Sequence, residues 1–217
     1  MNIRVLIADD HAIVREGLGT MLSHQPDMTV VGLATHGREA IRMVDEYQPD
    51  VAIMDISMPE LNGIDAISQM LPRHPNIKVI VLSIHETKPY VYRALKAGAR
   101  GYLLKETAGL EVVDAVRAVY GGERYLSQRI SDLVRDVSFR SLDGSKEVSP
   151  LEQLSPRERE ILQLVAEGKT SQEIGERLSI SSKSVDTYRS RLMRKIGVKD
   201  VAGLVKFAIQ HGVISLE

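Results

Sequence analysis

The sequence predicts an α/β domain with a parallel sheet, followed by a small all-α domain. Over residues 1–125, short runs rich in Val, Ile and Leu alternate with longer stretches of helical spacing. This alternation is typical of buried parallel strands joined by helices. Residues 153–217 contain only helix-like segments with clear start signals. We therefore assign residues 1–125 to one domain, 126–152 to a linker and 153–217 to a second domain.

The first domain is predicted to contain five strands and five helices in alternation. Gly98, Gly121 and Gly122 stand where helices should stop, because glycine adopts the backbone conformations that end a helix. The predicted strands are residues 3–8, 29–34, 51–54, 78–83 and 101–104. The predicted helices are residues 12–23, 37–47, 63–70, 89–97 and 110–120.

The linker and the second domain carry helix signals of their own. A helix is predicted over 127–140, followed by a polar stretch with Gly and Pro over 141–152. Four short helices are predicted after it, because capping residues and glycines delimit each one. These signals are the capping boxes Ser155 with Glu158 and Thr170 with Glu173, a cap at Ser181 or Ser182, the stops Gly168 and Gly197, and a last helix from 201 to 210.

Composition excludes several classes of protein. The chain of 217 residues has no cysteine, so a disulfide framework, a cysteine metal site and a cysteine nucleophile are excluded. No apolar run is long enough to span a membrane, and the first apolar run is too short for a signal peptide. We therefore expect a cytoplasmic protein without a membrane partner. Acidic residues outnumber basic ones in the first domain and basic ones prevail in the second, which indicates different partners.

Polar residues that carry chemistry stand at the ends of four predicted strands. Asp9 and Asp10 end the first run, Asp55 the third, Ser83 the fourth and Lys105 the fifth. In an open α/β sheet, ligands bind outside the carboxyl ends of the strands. Clustered carboxylates favour a hard divalent cation such as Mg²⁺. With a lysine and a hydroxyl nearby, the set can stabilise a transferring phosphoryl group, and Asp55 is the predicted acceptor.

These residues resemble the receiver domain of two-component response regulators. Asp9 and Asp10 match the family's acidic pair, Asp55 its phospho-acceptor and Lys105 its lysine. The resemblance implies a flavodoxin-like, doubly wound sheet of five parallel strands in the order 2-1-3-4-5. The other matches are Ser83 as switch hydroxyl, Tyr102 as switch aromatic, Glu106 after the lysine, the loop residues Met58, Pro59, Asn62 and Gly63, and Ser57, whose carbonyl is implied as a Mg²⁺ ligand beside Asp9, Asp10 and Asp55.

The predicted third helix of the second domain is basic. Its apolar positions, Val185, Tyr188, Leu192 and Ile196, follow helical spacing and should face the core. A short helix and a tight turn precede it, which favours a helix-turn-helix reader of the DNA major groove. The predicted DNA-binding residues are Lys183, Asp186, Thr187, Arg189, Ser190, Arg191, Arg194 and Lys195. For Asp186, a favourable charge near the helix N-terminus is the stronger interpretation than a contact with a cytosine amino group.

The second domain resembles LuxR-type DNA-binding domains. The motifs are Leu154 to Glu160, Ile174 to Leu178, Lys183 to Val185 and Arg194 to Ile196. Gly175 departs from the family, which often has alanine there. The resemblance implies that the last helix pairs two such domains, and the predicted dimerisation residues are Val201, Leu204, Val205 and Ala208.

Together the two resemblances imply a response regulator of the NarL/FixJ type. The implied partners are a sensor histidine kinase, double-stranded promoter DNA, a second copy of the chain on phosphorylation or on DNA, and RNA polymerase as a further candidate. Such a protein is not an enzyme beyond slow self-dephosphorylation. A phosphatase similar to haloacid dehalogenases would need a second acid two residues after Asp55, where Ser57 stands. A DNA-binding protein that no longer uses phosphate is the other alternative, and the role of His85 stays open.

Overall fold

The computed structural model describes residues 2–140 and 150–214, and the side chains of 136–140 are not described. The predicted linker stretch 141–149 therefore lies outside the described residues. The chain divides into two compact units, Met1–Gly144 and Ser145–Glu217. Among the described residues, no helix combines the length and apolar character needed to cross a bilayer.

A parallel sheet forms the centre of the first unit. Its order is β2-β1-β3-β4-β5-β6, and each neighbouring pair is parallel. The strands are β1 (Ile3–Ala8), β2 (Met28–Ala34), β3 (Val51–Asp55), β4 (Lys78–Ser83), β5 (Gly101–Leu104) and β6 (Tyr125–Leu126).

Helices cover both faces of this sheet. They are α1 (Ala12–Ser23), α2 (Gly37–Tyr47), α3 (Gly63–Met70), α4 (Lys88–Lys96), α5 (Ala108–Tyr120) and α6 (Gln128–Arg140). Alternate residues of a strand point to opposite faces, so Ile7 and Ile53 pack with α1 and α5, whereas Leu6 and Met54 pack with α2, α3, α4 and α6. Burial on both faces explains why the central strands are uniformly apolar.

The sheet has one strand more than predicted. Five parallel strands were expected, and the structure adds Tyr125–Leu126 beside β5, with Tyr102 paired to Leu126. Two residues are too few to produce an apolar run or an alternation, so the sequence carried no signal for this edge strand. Ile130 of α6 is fully buried in the core of the same unit. The first unit thus continues past residue 125, where the sequence placed the start of a linker.

The second unit is all helical, as predicted. After a short 3-10 turn (Pro150–Gln153) it contains α7 (Pro156–Ala166), α8 (Ser171–Leu178), α9 (Ser182–Ile196) and α10 (Val201–Gln210). Both predicted capping boxes are formed. The helices enclose a core that includes Ile161, Ile174, Val185 and Leu192.

The turn between α8 and α9 requires a close approach. Ser179 adopts a left-handed conformation with φ of 53°, and the Ile180 N–H donates to the Gly175 carbonyl. A Cβ on Gly175 would lie 2.7 Å from the Ile180 carbonyl oxygen. Glycine at this position therefore lets the turn fold against α8 in this chain.

Candidate functional site

The candidate site of the first unit lies at the carboxyl ends of its strands. Strand order reverses between β1 and β3, and this switch point is where open α/β sheets bind ligands. Asp9 follows β1, Asp55 ends β3 and Lys105 follows β5. The structure brings all three side chains into contact.

Lys105 joins the two buried carboxylates. Its Nζ lies 2.8 Å from Asp55 Oδ2 and 2.9 Å from Asp9 Oδ2, and Asp9 is fully buried. Burial would lower the pKa of Lys105, but the neighbouring Asp55 and Asp9 carboxylates outweigh it and raise that pKa. The lysine therefore stays charged and holds both acids in place.

Asp55 resists ionisation. Burial, the largest cause, raises its pKa from 3.8 to about 6, with Asp9 adding to the rise and Lys105 opposing it. One lysine is thus not enough to offset two buried acids, which are costly to charge without compensation. One further positive charge in the site would stabilise the ionised form of both carboxyl groups.

The carboxylate oxygens fit such a charge. Among the described residues, Asp9 Oδ2 and Asp10 Oδ1 are buried and accept no hydrogen bond. Asp9 Oδ2 lies at ion-pair distance from Lys105, and Asp10 Oδ1 lies at ion-pair distance from His11, in both cases without hydrogen-bond geometry. One atom each from Asp9, Asp10, His11 and Asp55 lies within 4.8 Å of the others, so the donor set suits a divalent cation.

His11 is a residue of this cluster that sequence reasoning missed. Its only signal was its position directly after the acidic pair. The predicted Ser57 ligand was a backbone carbonyl, and that role stays a prediction. The Ser57 hydroxyl lies 3.0 Å from His85 Nε2.

The loop after Asp55 packs closely against the backbone of that residue. The Gly63 N–H donates to the Ile56 carbonyl at 3.0 Å, and a Cβ on Gly63 would overlap the Asp55 carbonyl oxygen. Asn62 caps α3 by accepting from the Asp65 N–H. The predicted loop residues Asn62 and Gly63 therefore fix the backbone direction at Asp55.

The predicted switch residues Ser83 and Tyr102 are both fully buried and linked through His85. Ser83 Oγ accepts from the His85 N–H at 3.0 Å, and the Tyr102 hydroxyl donates to the His85 carbonyl at 2.6 Å. The His85 ring stacks on Tyr90 of α4 with centroids 4.0 Å apart. Burial, the main cause, and then Lys105 lower the pKa of His85. The β4–α4 loop therefore connects the site to α4.

Helix α6 is tied to the same loops. Arg129 Nη1 lies 3.4 Å from Glu86 and 3.4 Å from Glu106, which follow Ser83 and Lys105 in the chain. Ser127 Oγ accepts from the Leu104 N–H and donates to Glu111. Movement of either loop would therefore disturb the contacts at the start of α6.

The edge around the site also exposes apolar side chains. Ile13, Ile84 and Leu110 are 89%, 65% and 87% exposed, and they follow β1, β4 and β5 respectively. All three therefore follow strands whose carboxyl ends carry residues of the site.

Helix α9 carries the candidate site of the second unit. Val185 and Leu192 are fully buried, so the helix faces its core as predicted. The opposite face is exposed and contains Lys183, Thr187, Ser190, Arg191 and Arg194. Of these, Thr187 and Ser190 hydroxyls donate to helix carbonyls one turn back.

Three of the predicted DNA-binding residues of α9 make contacts inside the unit. Lys195 Nζ lies 2.6 Å from Glu158 of α7. Burial would raise the pKa of Glu158, but Lys195 and the Ser155 N–H outweigh it and lower that pKa. Ser171 of α8 donates to Asp186 at 2.7 Å and accepts from Arg189 at 3.0 Å. These side chains hold α9 against α7 and α8.

The predicted dimerisation residues of α10 divide into two classes. Leu204 and Ala208 are fully buried in the core of their own unit, so they are not available to a second copy and that prediction needs correction. These two residues pack in the same core as Ile161, Leu162 and Leu164 of α7. Val201 remains 44% exposed and Val205 half-buried.

Comparisons with known proteins assign both units to known families. Residues 5–117 match the family described as response regulator receiver domain, and residues 152–208 match bacterial regulatory proteins of the luxR family. Oxygen regulatory protein NreC of Staphylococcus aureus is 38% identical over 215 residues, which is 98% of this chain and 99% of the relative.

Solved structures of RcsB are similar over nearly the whole chain. A complex of the response regulator RcsB with DNA is 28% identical, with a TM-score of 0.58 over 95% of this chain and 98% of RcsB. A structure of two RcsB dimers bound to two parallel DNAs is also 28% identical, with a TM-score of 0.60 over the same shares.

Proposed function

This chain belongs to the two-component response regulators that join a receiver domain to a LuxR-type DNA-binding domain, and we propose that Asp55 is its phosphoryl acceptor. It acts as a phosphorylation-controlled, DNA-binding regulator of transcription. The observation that carries the assignment of Asp55 is the contact of Lys105 with both Asp55 and Asp9 at one edge of the sheet. Asp10 follows β1 and Ser83 ends β4, so both lie at the same edge of the sheet.

The phosphoryl donor is a phosphohistidine of a sensor histidine kinase. A carboxylate oxygen of Asp55 attacks phosphorus, a new O–P bond forms, the N–P bond breaks, and the imidazole leaves with its electron pair and takes up a proton. Lys105 and Ser83 are placed to neutralise and hydrogen-bond the equatorial oxygens, where charge accumulates. Bound Mg²⁺, held by Asp9, Asp10, Asp55 and the Ser57 carbonyl, supplies the positive charge that this buried acidic site needs.

The apolar residues around the site suit the kinase. Ile13, Ile84 and Leu110 are exposed and follow strands β1, β4 and β5, whose ends carry the acceptor chemistry. A donor histidine must come within bonding distance of Asp55, so its protein covers this edge. Burying exposed apolar side chains stabilises such a contact.

The phosphoryl state is transmitted through the β4–α4 loop. When Ser83 turns its hydroxyl toward the phosphoryl group, its bond to the His85 N–H is lost, and the Tyr102 bond to His85 and the Arg129 bridges respond. This is a local charge change that biases a packing equilibrium. Helix α6 then carries the change toward residues that precede the second unit.

The second unit binds double-stranded promoter DNA through α9. Thr187, Ser190 and Arg191 are exposed and suited to base edges, while Lys183 and Arg194 suit phosphates. Two copies read two half-sites, with Val201 and Val205 of α10 at the contact. RNA polymerase is the further candidate partner at a promoter, and the cytoplasm, where promoter DNA lies, is the expected location.

An enzyme of the phosphatase class is disfavoured by one residue. Ser57 stands where such an enzyme needs a second acid, so hydrolysis of the aspartyl phosphate is expected to be slow self-dephosphorylation. Rapid turnover of a generic phosphate ester by the purified chain would favour the phosphatase.

The test is phosphorylation with a small-molecule phosphodonor and Mg²⁺, measured by intact mass and by light scattering. The wild type is expected to gain one phosphoryl group and to shift from monomer toward dimer. Asp55→Asn should bind Mg²⁺ but do neither, whereas Asp114→Asn, an exposed acid of α5, should behave as wild type. Labelling of Asp55→Asn to the wild-type extent would refute the assignment.

A further inference from the structure

His11 occupies a helix position that it does not serve as a cap. It is the N-cap residue of α1, yet its side chain accepts no capping hydrogen bond. Ser, Thr, Asp and Asn are the residues that stabilise this position. The imidazole instead lies over the acidic pair: its Nδ1 is hydrogen-bonded to Asp9 Oδ1 at 3.2 Å and lies 2.9 Å from Asp10 Oδ1.

These spacings match neighbouring ligands of one cation. In an octahedral shell with bonds of about 2.1 Å, adjacent donor atoms lie about 3 Å apart. Asp10 Oδ1 and His11 Nδ1 are this close without hydrogen-bond geometry, and Asp10 Oδ1 is buried with no hydrogen bond among the described residues. The two atoms lie side by side, as two donors to a shared ion would.

Lysine and histidine use different oxygens. Lys105 contacts the Oδ2 atoms of Asp9 and Asp55, whereas His11 contacts Oδ1 of Asp9 and of Asp10. The His11 backbone N–H also donates to Asp9 Oδ1 at 2.8 Å, which orients that carboxylate. Lys105 Nζ also lies 3.5 Å from His11 Nδ1, so a cation bound to His11 would lie beside the lysine but would use the Oδ1 side of the carboxylates.

We propose that His11 is a nitrogen ligand of the cation site and shifts its selectivity from Mg²⁺ toward Co²⁺, Ni²⁺ and Zn²⁺. Mg²⁺ is bound by oxygen donors, whereas a neutral imidazole suits first-row transition metals. The inference rests on the proposed function only for the existence of the cation site.

The test compares Co²⁺ alone and Mg²⁺ alone, by calorimetry on the full chain. His11→Asn is expected to weaken Co²⁺ binding by about tenfold or more, the loss typical of a disrupted metal-ligand set, and to leave Mg²⁺ binding nearly unchanged. The visible absorption bands of bound Co²⁺ should also shift, because they report the donor atoms. His11→Phe keeps a ring without nitrogen and should behave like His11→Asn. His24→Asn, which removes an exposed histidine from the other end of α1, is the matched control.

Two results would overturn the inference. One is a Co²⁺ affinity and spectrum that do not change in His11→Asn. The other is an equal loss for both metals, which would make His11 a group that shapes the site rather than a ligand. Labelling by phosphodonor with Mg²⁺ tests the assignment of Asp55 independently of the His11 inference. If wild type and His11→Asn are both labelled, Asp55 remains the acceptor whatever the Co²⁺ result. If the wild type is not labelled, the assignment of Asp55 as acceptor is refuted.

Discussion

The pocket of the first unit and helix α9 of the second use charge in opposite ways. In the pocket, Asp9 and Asp55 are buried and share one lysine. On α9, Arg191 and Arg194 are exposed, and the charges with internal partners, such as Lys195, contribute to packing. Charges interact strongly in a buried site and weakly in water. The pocket therefore depends on each of its charged members, whereas α9 uses some charges for packing within the unit and leaves others exposed.

The largest contrast is expected from removing one lysine in each unit. Lys105→Met leaves two buried acids without their cation, which should cost about 4 kcal/mol of stability. Lys195→Met breaks a pair whose lysine is 42% exposed, so solvent screening limits its cost to roughly 1 kcal/mol. Hydrogen exchange without divalent cations measures each unit separately. Equal losses of stability for Lys105→Met and Lys195→Met would contradict the stated difference between the buried pocket and the exposed helix.

A second contrast lies within α10. Leu204→Ala should cost roughly 3 kcal/mol of stability, since it opens a cavity in the core. Val201→Ala is a surface change and should cost less than about 0.5 kcal/mol, while weakening dimers on DNA. Thermal unfolding and light scattering distinguish the two. A stable Leu204→Ala chain that fails only to dimerise would return Leu204 to the interface.

The pocket also predicts a pH dependence. The pKa of Asp55 is raised to about 6 in the folded chain. Protonated Asp55 therefore contributes to folding stability below pH 3.8, and this contribution is lost as the pH rises through about 6. A shift of this size corresponds to about 3 kcal/mol at most. Asp55→Asn should therefore gain stability over wild type between pH 4 and 7 in denaturant titrations with chelator. A constant difference across that range would contradict the burial argument.

The smallest expected effect sharpens the division on α9. Arg194→Ala should weaken DNA binding and reduce the slope of log affinity against log salt by about 0.9, as expected for one lost phosphate contact. Lys195→Met should leave that slope unchanged, because its partner is Glu158. Fluorescence anisotropy over a salt series measures both. A reduced slope for Lys195→Met would place that lysine on DNA.

The sequence by itself determined the features that depend on local pattern. Apolar runs located the five long strands, and capping residues such as Ser155 and Thr170 located the helix starts, because both signals lie within a few residues. The meeting of the acidic residues with the lysine could be predicted as well, since parallel strands place their carboxyl ends at one edge. Asp9, Asp55 and Lys105 therefore met as predicted.

Tertiary contacts determine which side chains of the same type pack inside the unit and which stay exposed. A two-residue strand at 125–126 forms because β5 offers it an edge. Leu204 becomes core because α7 covers it, and Lys195 becomes a brace because Glu158 lies beside it. Each outcome depends on a partner distant in sequence, and local periodicity carries no information about such partners.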